Sequence, residues 1–196
     1  MIRIAVIGDI GSGKSHVAKL FGYPVFNADL EVAKLYKNSK KCYFKIKKRL
    51  PNYITSFPIK KSKLSEAIMD NQNNLKKIIK IIHPEVRKKM NRFLYKNRNK
   101  KFVILDIPLI IENKINKKDD VLIFVEAKKE KINLRLKKKL NFNAEIVKKF
   151  RKLQLPKEIK KKKSNFVIKN NFKNLSVKKN VKKIMEKVLL NARSYT

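Results

Sequence analysis

Apolar residues along the chain fall into two patterns. Short continuous runs at residues 2–7 (interrupted by Arg3), 23–26, 102–105, 121–125 and 165–168 have the length and composition of buried strands. Between them, apolar residues recur at helical spacing, as Leu75, Ile78, Ile79 and Ile82 do, and as Val177, Val181, Ile184 and Val188 do near the end. The spacing predicts helices over 16–21, 30–36, 40–50, 63–69, 73–82, 84–95, 127–140, 144–155 and 177–189, with a short helix or turn over 156–163. Pro51 and Pro58 mark a loop over 51–61, and Asn143 starts the helix behind it. Pro84 suits the first position of a helix, which makes His83 a turn or cap residue at a helix junction. Five strands alternating with helices predict an α/β protein: a mostly parallel sheet covered on both faces. The long helical stretch over 37–100 is either a substrate-binding insert or a cover for one sheet face.

The turn after the first strand carries the strongest chemistry. Gly8 to Ser15 reads GDIGSGKS, the spacing G-x-x-x-x-G-K-S between a strand and a helix. Glycines let the backbone turn tightly and approach a phosphate closely. Successive N–H groups and the helix start then form an anion nest. The phosphate-contacting stretch is Gly8, Asp9, Ile10, Gly11, Ser12, Gly13, Lys14, Ser15 and His16, with no role for the His16 side chain. Lys14 reaches the outer phosphates, and Ser15 offers a hydroxyl to Mg²⁺. The motif specifies a nucleotide phosphate and leaves kinase and NTPase both open.

Strand ends supply the remaining candidates, because the carboxyl ends of strands carry the site in α/β sheets. Asn27 and Asp29 follow the second strand and, read as strand residues, share a face. Asp29 either takes the proton of an acceptor hydroxyl or caps the next helix. Asp106 ends the third strand and is the second Mg²⁺ candidate. Pro108 takes the chain out of the sheet. Glu112 is an acceptor or Mg²⁺ contact, or a plain surface carboxylate. Arg135, Lys138, Lys139 and Arg151 lie on a basic helical pair that either closes over phosphates or forms a solvated face.

Composition adds bounds. Hydrophobic residues make up 43% of the 196, enough for a core, and no run is long and apolar enough to span a bilayer. Met1 leads straight into a strand, so no signal peptide is expected. The lone Cys42 makes no intrachain disulfide and no metal site, and fits a reducing cytoplasm. The formal charge of +37, from 52 basic and 15 acidic residues, favours polyanions. The excess is mostly lysine spread along the chain, with abundant Asn and Ile, as an A·T-rich coding sequence would supply. A nucleic-acid-binding protein is the reading from another class. No zinc pattern, RNA-binding strand motif or localised basic stripe supports it, so no specific nucleic-acid partner and no membrane are expected.

Taken together, these segments resemble the dephospho-coenzyme A kinase family, among P-loop kinases of the nucleoside-monophosphate-kinase type. GDIGSGKS is similar to the family's G-G-I-G-S-G-K-S, and VFNAD to V-I-D-A-D, whose second aspartate falls on Asp29. IIHPEVR resembles L-L-H-P-x-I-R, LDIPLIIE resembles D-x-P-L-L-x-E, and Arg135 and Lys139 fall on the lid positions of R-x-x-x-R-D. LQLPKEIKKKKSNFVIKNN resembles Q-M-P-x-E-x-K followed by A-D-F-V-I-D-N-N. The resemblance implies a three-layer P-loop NTPase fold with core segments near 1–36, 101–128 and 164–196, an acceptor-binding insert over 37–100 and a lid over 129–163. It implies phosphoryl transfer from ATP to the ribose 3′-hydroxyl of dephospho-CoA, with Mg²⁺, in a cytoplasmic monomer or weak homo-oligomer. Asp29, Lys14 and Arg135 are the implied catalytic residues. Asn170 and Asn171 lie on the adenine side, and His83, Arg87, Leu109 and Glu112 hold the acceptor. Another small-molecule kinase of this architecture is the nearer rival. The chain departs from the family at Asp9, Asn27, Lys139, Leu140 and Lys169.

Overall fold

A computed structural model of the chain describes residues 1–138 and 142–193, without the side chains of 191–193. In chain order the elements are β1 (Ile2–Gly8), α1 (Lys14–Leu20), β2 (Val25–Asn27), α2 (Ala28–Asn38), α3 (Lys40–Arg49), α4 (Lys61–Asp70), α5 (Gln72–Lys96), β3 (Phe102–Asp106), β4 (Val121–Glu126), α6 (Lys129–Lys137), α7 (Ala144–Arg151), α8 (Lys157–Lys162), β5 (Phe166–Lys169) and α9 (Asn174–Arg193). They divide into two compact units. One contains Met1–Phe26, Asn97–Phe142 and Arg151–Thr196, and the other Asn27–Lys96 and Asn143–Phe150.

The first unit is built on a five-stranded sheet in the order β2-β3-β1-β4-β5. β1 pairs in parallel with β3 (Ala5 opposite Leu105) and with β4 (Gly8 opposite Val125), and β4 pairs in parallel with β5. Parallel pairing explains the continuous apolar runs, because both faces need cover. Ile4 and Val6 join Val17 and Phe21 of α1 and Val177, Val181, Ile184 and Val188 of α9 in one core. Ala5 and Ile7 point to the opposite face by the two-residue period and are equally buried. The result is a three-layer α/β fold.

Arg3, the one interruption in the first apolar run, has a specific partner. Its guanidinium lies 2.9 Å from Asp120 Oδ2, with side chains 8% and 2% exposed, and also donates to the Ile115 carbonyl. The same Asp120 oxygen accepts the Lys117 N–H at 2.9 Å, so the turn before β4 is built around this ion pair. Asp120→Ala should destabilise the protein by about 3–5 kcal/mol, because it strands a buried guanidinium. Denaturant unfolding would measure this, and a loss below about 1 kcal/mol would show that water reaches Arg3.

The second unit is helical, with Leu35, Cys42, Ile46, Leu64, Ile68, Leu75, Ile78, Ile82 and Met90 buried. Asn27 caps α2 by accepting the Leu30 N–H at 2.8 Å, and Ser39 caps α3 through Cys42. Lys149 of α7 donates to the Ile68 and Met69 carbonyls at the end of α4, where a cation suits the helix terminus.

Two expectations from the sequence are corrected here. Residues 72–96 form one helix with Pro84 inside it, not two helices with a turn, so His83 is a mid-helix residue and not a junction cap. A proline in a helix costs about 3 kcal/mol. Here the buried stripe from Leu75 and Ile78 through Ile82 to Met90 runs past Pro84 on both sides and offsets that cost. Asn27 and Asp29 do not share a strand face: β2 ends at Asn27, and Asp29 lies in the first turn of α2. Among the described residues, no helix is long and apolar enough to cross a membrane.

Candidate functional site

The loop after β1 folds back on itself. Ser12 N–H donates to the Asp9 carbonyl at 3.1 Å, and the Lys14 ammonium donates to the same carbonyl at 2.8 Å. His16 and Val17 N–H groups both reach the Gly13 carbonyl and start α1. Ser15 and His16 are exposed, whereas Ser12 and Lys14 are buried. Asp9 accepts the Ile10 N–H at 2.6 Å, and the same oxygen lies 3.4 Å from Arg151 Nε. The Arg151 charge therefore faces the extra carboxylate that this loop carries.

The segment after β5 braces the loop. Asn170, 3% exposed, donates from Nδ2 to the Ser12 carbonyl at 2.8 Å. Its Oδ1 accepts the Phe172 N–H at 2.8 Å, and its own N–H bonds the Glu126 carbonyl at 2.7 Å. The exposed Asn171 offers its carbonyl to the Lys131 ammonium at 3.3 Å. Phe172 has φ +64°, and the Arg135 guanidinium stacks over its ring at 4.7 Å. Ile132 and Leu136 of α6 are buried with their side chains turned toward Gly11. α6 thus lies against the phosphate loop, with Arg135 on its outer side. Lys139 and Leu140 lie outside the described residues.

Asp106 is buried at the end of β3, next to β1 in the sheet. Among the described residues, no group of three or more His, Cys, Asp or Glu side chains is placed to hold a metal. Ser15 carries a hydroxyl and Asp106 a carboxylate, both oxygen donors of the kind Mg²⁺ takes. That set fits Mg²⁺ carried on a polyphosphate, which takes few protein ligands and keeps its waters. Beyond Asp106 the chain leaves the sheet at Ile107–Pro108. Leu109 is partly buried, with its carbonyl accepting the Asn113 side chain. Glu112 accepts the Leu155 N–H at 2.9 Å.

The predicted residues are shared between the two units. The first holds the loop, Asp106, Leu109, Glu112, Arg135, Asn170 and Asn171; the second holds Asp29, His83 and Arg87. Asp29 is exposed. Burial, helped by the Arg87 charge one turn along, lowers the affinity of the His83 imidazole for a proton, which favours its neutral form. Sequence reasoning missed the bracing role of Asn170, the Asp9–Arg151 pair, and Lys160, buried beside Gln154. Asn170 and Arg151 act on partners far away in sequence. Lys160 sits in a run of lysines, and the one local signal for it is its place at the last position of the segment similar to Q-M-P-x-E-x-K.

A family model described as dephospho-CoA kinase matches residues 2–175. A dephospho-CoA kinase from Wolbachia sp. subsp. Brugia malayi is 30% identical over 194 residues, covering 96% of this chain and 99% of the relative. One from Bartonella quintana is 34% identical over 178 residues, covering 84% and 87%. Among solved structures, a Thermus thermophilus protein superposes with a TM-score of 0.76 at 27% identity, covering 97% of each chain. The dephospho-CoA kinase from Campylobacter jejuni shares the fold, with a TM-score of 0.63 at 21% identity over 95% of this chain and 96% of its own.

Proposed function

The chain belongs to the dephospho-CoA kinase family, and from that premise we propose that it transfers the γ-phosphoryl group of ATP to the ribose 3′-hydroxyl of dephospho-CoA, releasing coenzyme A and ADP. The acceptor oxygen forms a bond to the γ-phosphorus as the bond to the β,γ-bridging oxygen breaks. Asp29 takes the hydroxyl proton, the role a carboxylate plays in other phosphoryl transfers. Lys14 and the N–H groups at the start of α1 hold the β and γ phosphates and meet the charge that shifts between them. Ser15 and Asp106 would hold Mg²⁺. When bound, Mg²⁺ supplies divalent charge to the phosphate oxygens.

Arg135 and Arg151 add positive charge on the donor side. Arg135 is held ready on the Phe172 ring, and Arg151 offsets Asp9, whose carboxylate would otherwise oppose the incoming triphosphate. Lys139 is proposed as a second lid cation. As a lysine it provides a point charge without the two-pronged geometry of arginine. Asn171 flanks the adenine, and Asn170 supports it by fixing the Ser12 turn. Neutral His83, Arg87, Leu109 and Glu112 hold the acceptor, and the helices of 37–100 carry its binding surface. Both substrates are polyphosphates, which suits a chain of charge +37.

The observation that carries this reading is the family match over residues 2–175, which includes the phosphate loop and the acidic strand ends together. Purified protein with ATP, Mg²⁺ and a panel of acceptors tests it. ADP formation should be on the order of 10³-fold faster with dephospho-CoA than with AMP, because a site built for one acceptor leaves polar groups unpaired with another. Equal turnover with AMP would overturn it.

A further inference from the structure

Lys160 is 2% exposed, and lysine is almost never so buried without a partner. Its ammonium donates to Gln154 Oε1 at 2.8 Å and stands 3.9 Å from Glu112 Oε1. Burial lowers the affinity of this amine for its proton, and the Glu112 carboxylate, with Asp9 beyond it, pulls the other way. The Glu112 side chain is itself 9% exposed. Its Oε1 accepts the Leu155 N–H and faces the ammonium, while Oε2 is buried with no hydrogen-bond partner among the described residues. An apolar residue of similar length would fill the Lys160 position without bringing a charge indoors. The lysine therefore serves the carboxylate, and the carboxylate keeps one buried oxygen without a described hydrogen-bond donor.

The chemistry of this buried oxygen restricts what can pair with it. A carboxylate accepts hydrogen bonds and repels anions. The triphosphate tail in the cradle carries no donor near pH 7, so it cannot satisfy Oε2. A hydroxyl or amino group of a nucleoside can. We propose that Lys160 is a positioning residue for the acceptor nucleotide: with the Leu155 N–H it fixes Glu112 through Oε1 and leaves the buried Oε2 to take its hydrogen bond from an O–H or N–H donor of that substrate. This rests on the reading of Glu112 as an acceptor-side residue. Gln154 completes the device by orienting the ammonium from the other side.

Steady-state kinetics with dephospho-CoA and ATP test the proposal on Lys160→Met, Glu112→Gln, Gln154→Leu and the Lys160→Met/Glu112→Gln double variant. Glu112→Gln and Lys160→Met should each raise KM for dephospho-CoA about tenfold, the scale of one hydrogen bond to a charged group. KM for ATP should stay within about twofold, and the double variant should be no worse than the weaker single. Gln154→Leu keeps the charge pair and should give a smaller rise in the same constant. If Lys160→Met does not fold, Gln154→Leu and Glu112→Gln and their combination carry the same non-additivity test. An unchanged KM for dephospho-CoA, a rise confined to KM for ATP, or additive losses would each overturn the inference. A wild-type protein that does not turn over dephospho-CoA would instead overturn the kinase reading, before any variant is compared.

Discussion

Asp29→Asn should lower kcat by about 10²–10⁴-fold while leaving the Kd for ATP nearly unchanged, the signature of a general base that matters in the transition state. The substitution keeps the shape of the side chain and removes only its charge and proton affinity. The competing role for Asp29, capping α2, is already filled: Asn27 Oδ1 accepts the Leu30 N–H at 2.8 Å. In the first helical turn an aspartate adds about 0.3–1 kcal/mol through the helix dipole, so the variant should lose no more stability than that. Kinetics and denaturation therefore separate the two roles. A stability loss of about 2 kcal/mol with turnover intact would make Asp29 a structural residue. A kcat within about threefold of wild type at full stability would move the base elsewhere.

The parts of this molecule that were legible in its sequence are those whose cause is local. The strands Phe102–Asp106 and Val121–Glu126 show through the unbroken apolar runs at 102–105 and 121–125, because parallel strands are covered on both faces. The stripe Val177, Val181, Ile184 and Val188 shows because it faces the sheet. The phosphate loop shows because its spacing is itself the mechanism. Whatever depends on a distant partner did not show. Arg3 reads as a flaw in the first strand until Asp120, far along the chain, is placed against it. Pro84 reads as a helix start by the local rule, and burial on both sides overrides the rule. Asn27 and Asp29 were read with the period of a strand, but the side chain of Asn27 begins a helix between them. Lys160 stands at the lysine of the segment similar to Q-M-P-x-E-x-K, but its burial against Glu112 depends on a residue far along the chain. Nor does the strand order, with β1 between β3 and β4, follow from any single segment.

Gly13→Ala should weaken ATP binding by at least about 100-fold, because loop geometry is what aims the N–H groups and Lys14 at the phosphates. Gly13 has φ +92°, a left-handed conformation that costs an alanine about 1–2 kcal/mol. A Cβ there would also stand 2.3 Å from Asn170 Nδ2, closer than any contact allows. Asn170 has little room to retreat. Its Nδ2 is bonded to the Ser12 carbonyl, its Oδ1 to the Phe172 N–H, and its backbone to Glu126. Relief therefore comes either from moving the loop or from breaking the brace, and both disturb the cradle. Gly22→Ala separates this effect from backbone strain alone. Gly22 has φ +73°, and among the described residues beyond its chain neighbours nothing lies within 4 Å of its added Cβ, so it should lose about 1 kcal/mol of stability and bind ATP normally. Calorimetric titration of ATP into both variants, alongside urea unfolding, reads the two terms apart. Wild-type ATP affinity in Gly13→Ala would mean that the triphosphate does not rest on this loop, and the donor-site assignments of Lys14, Ser15 and Arg135 would fall together.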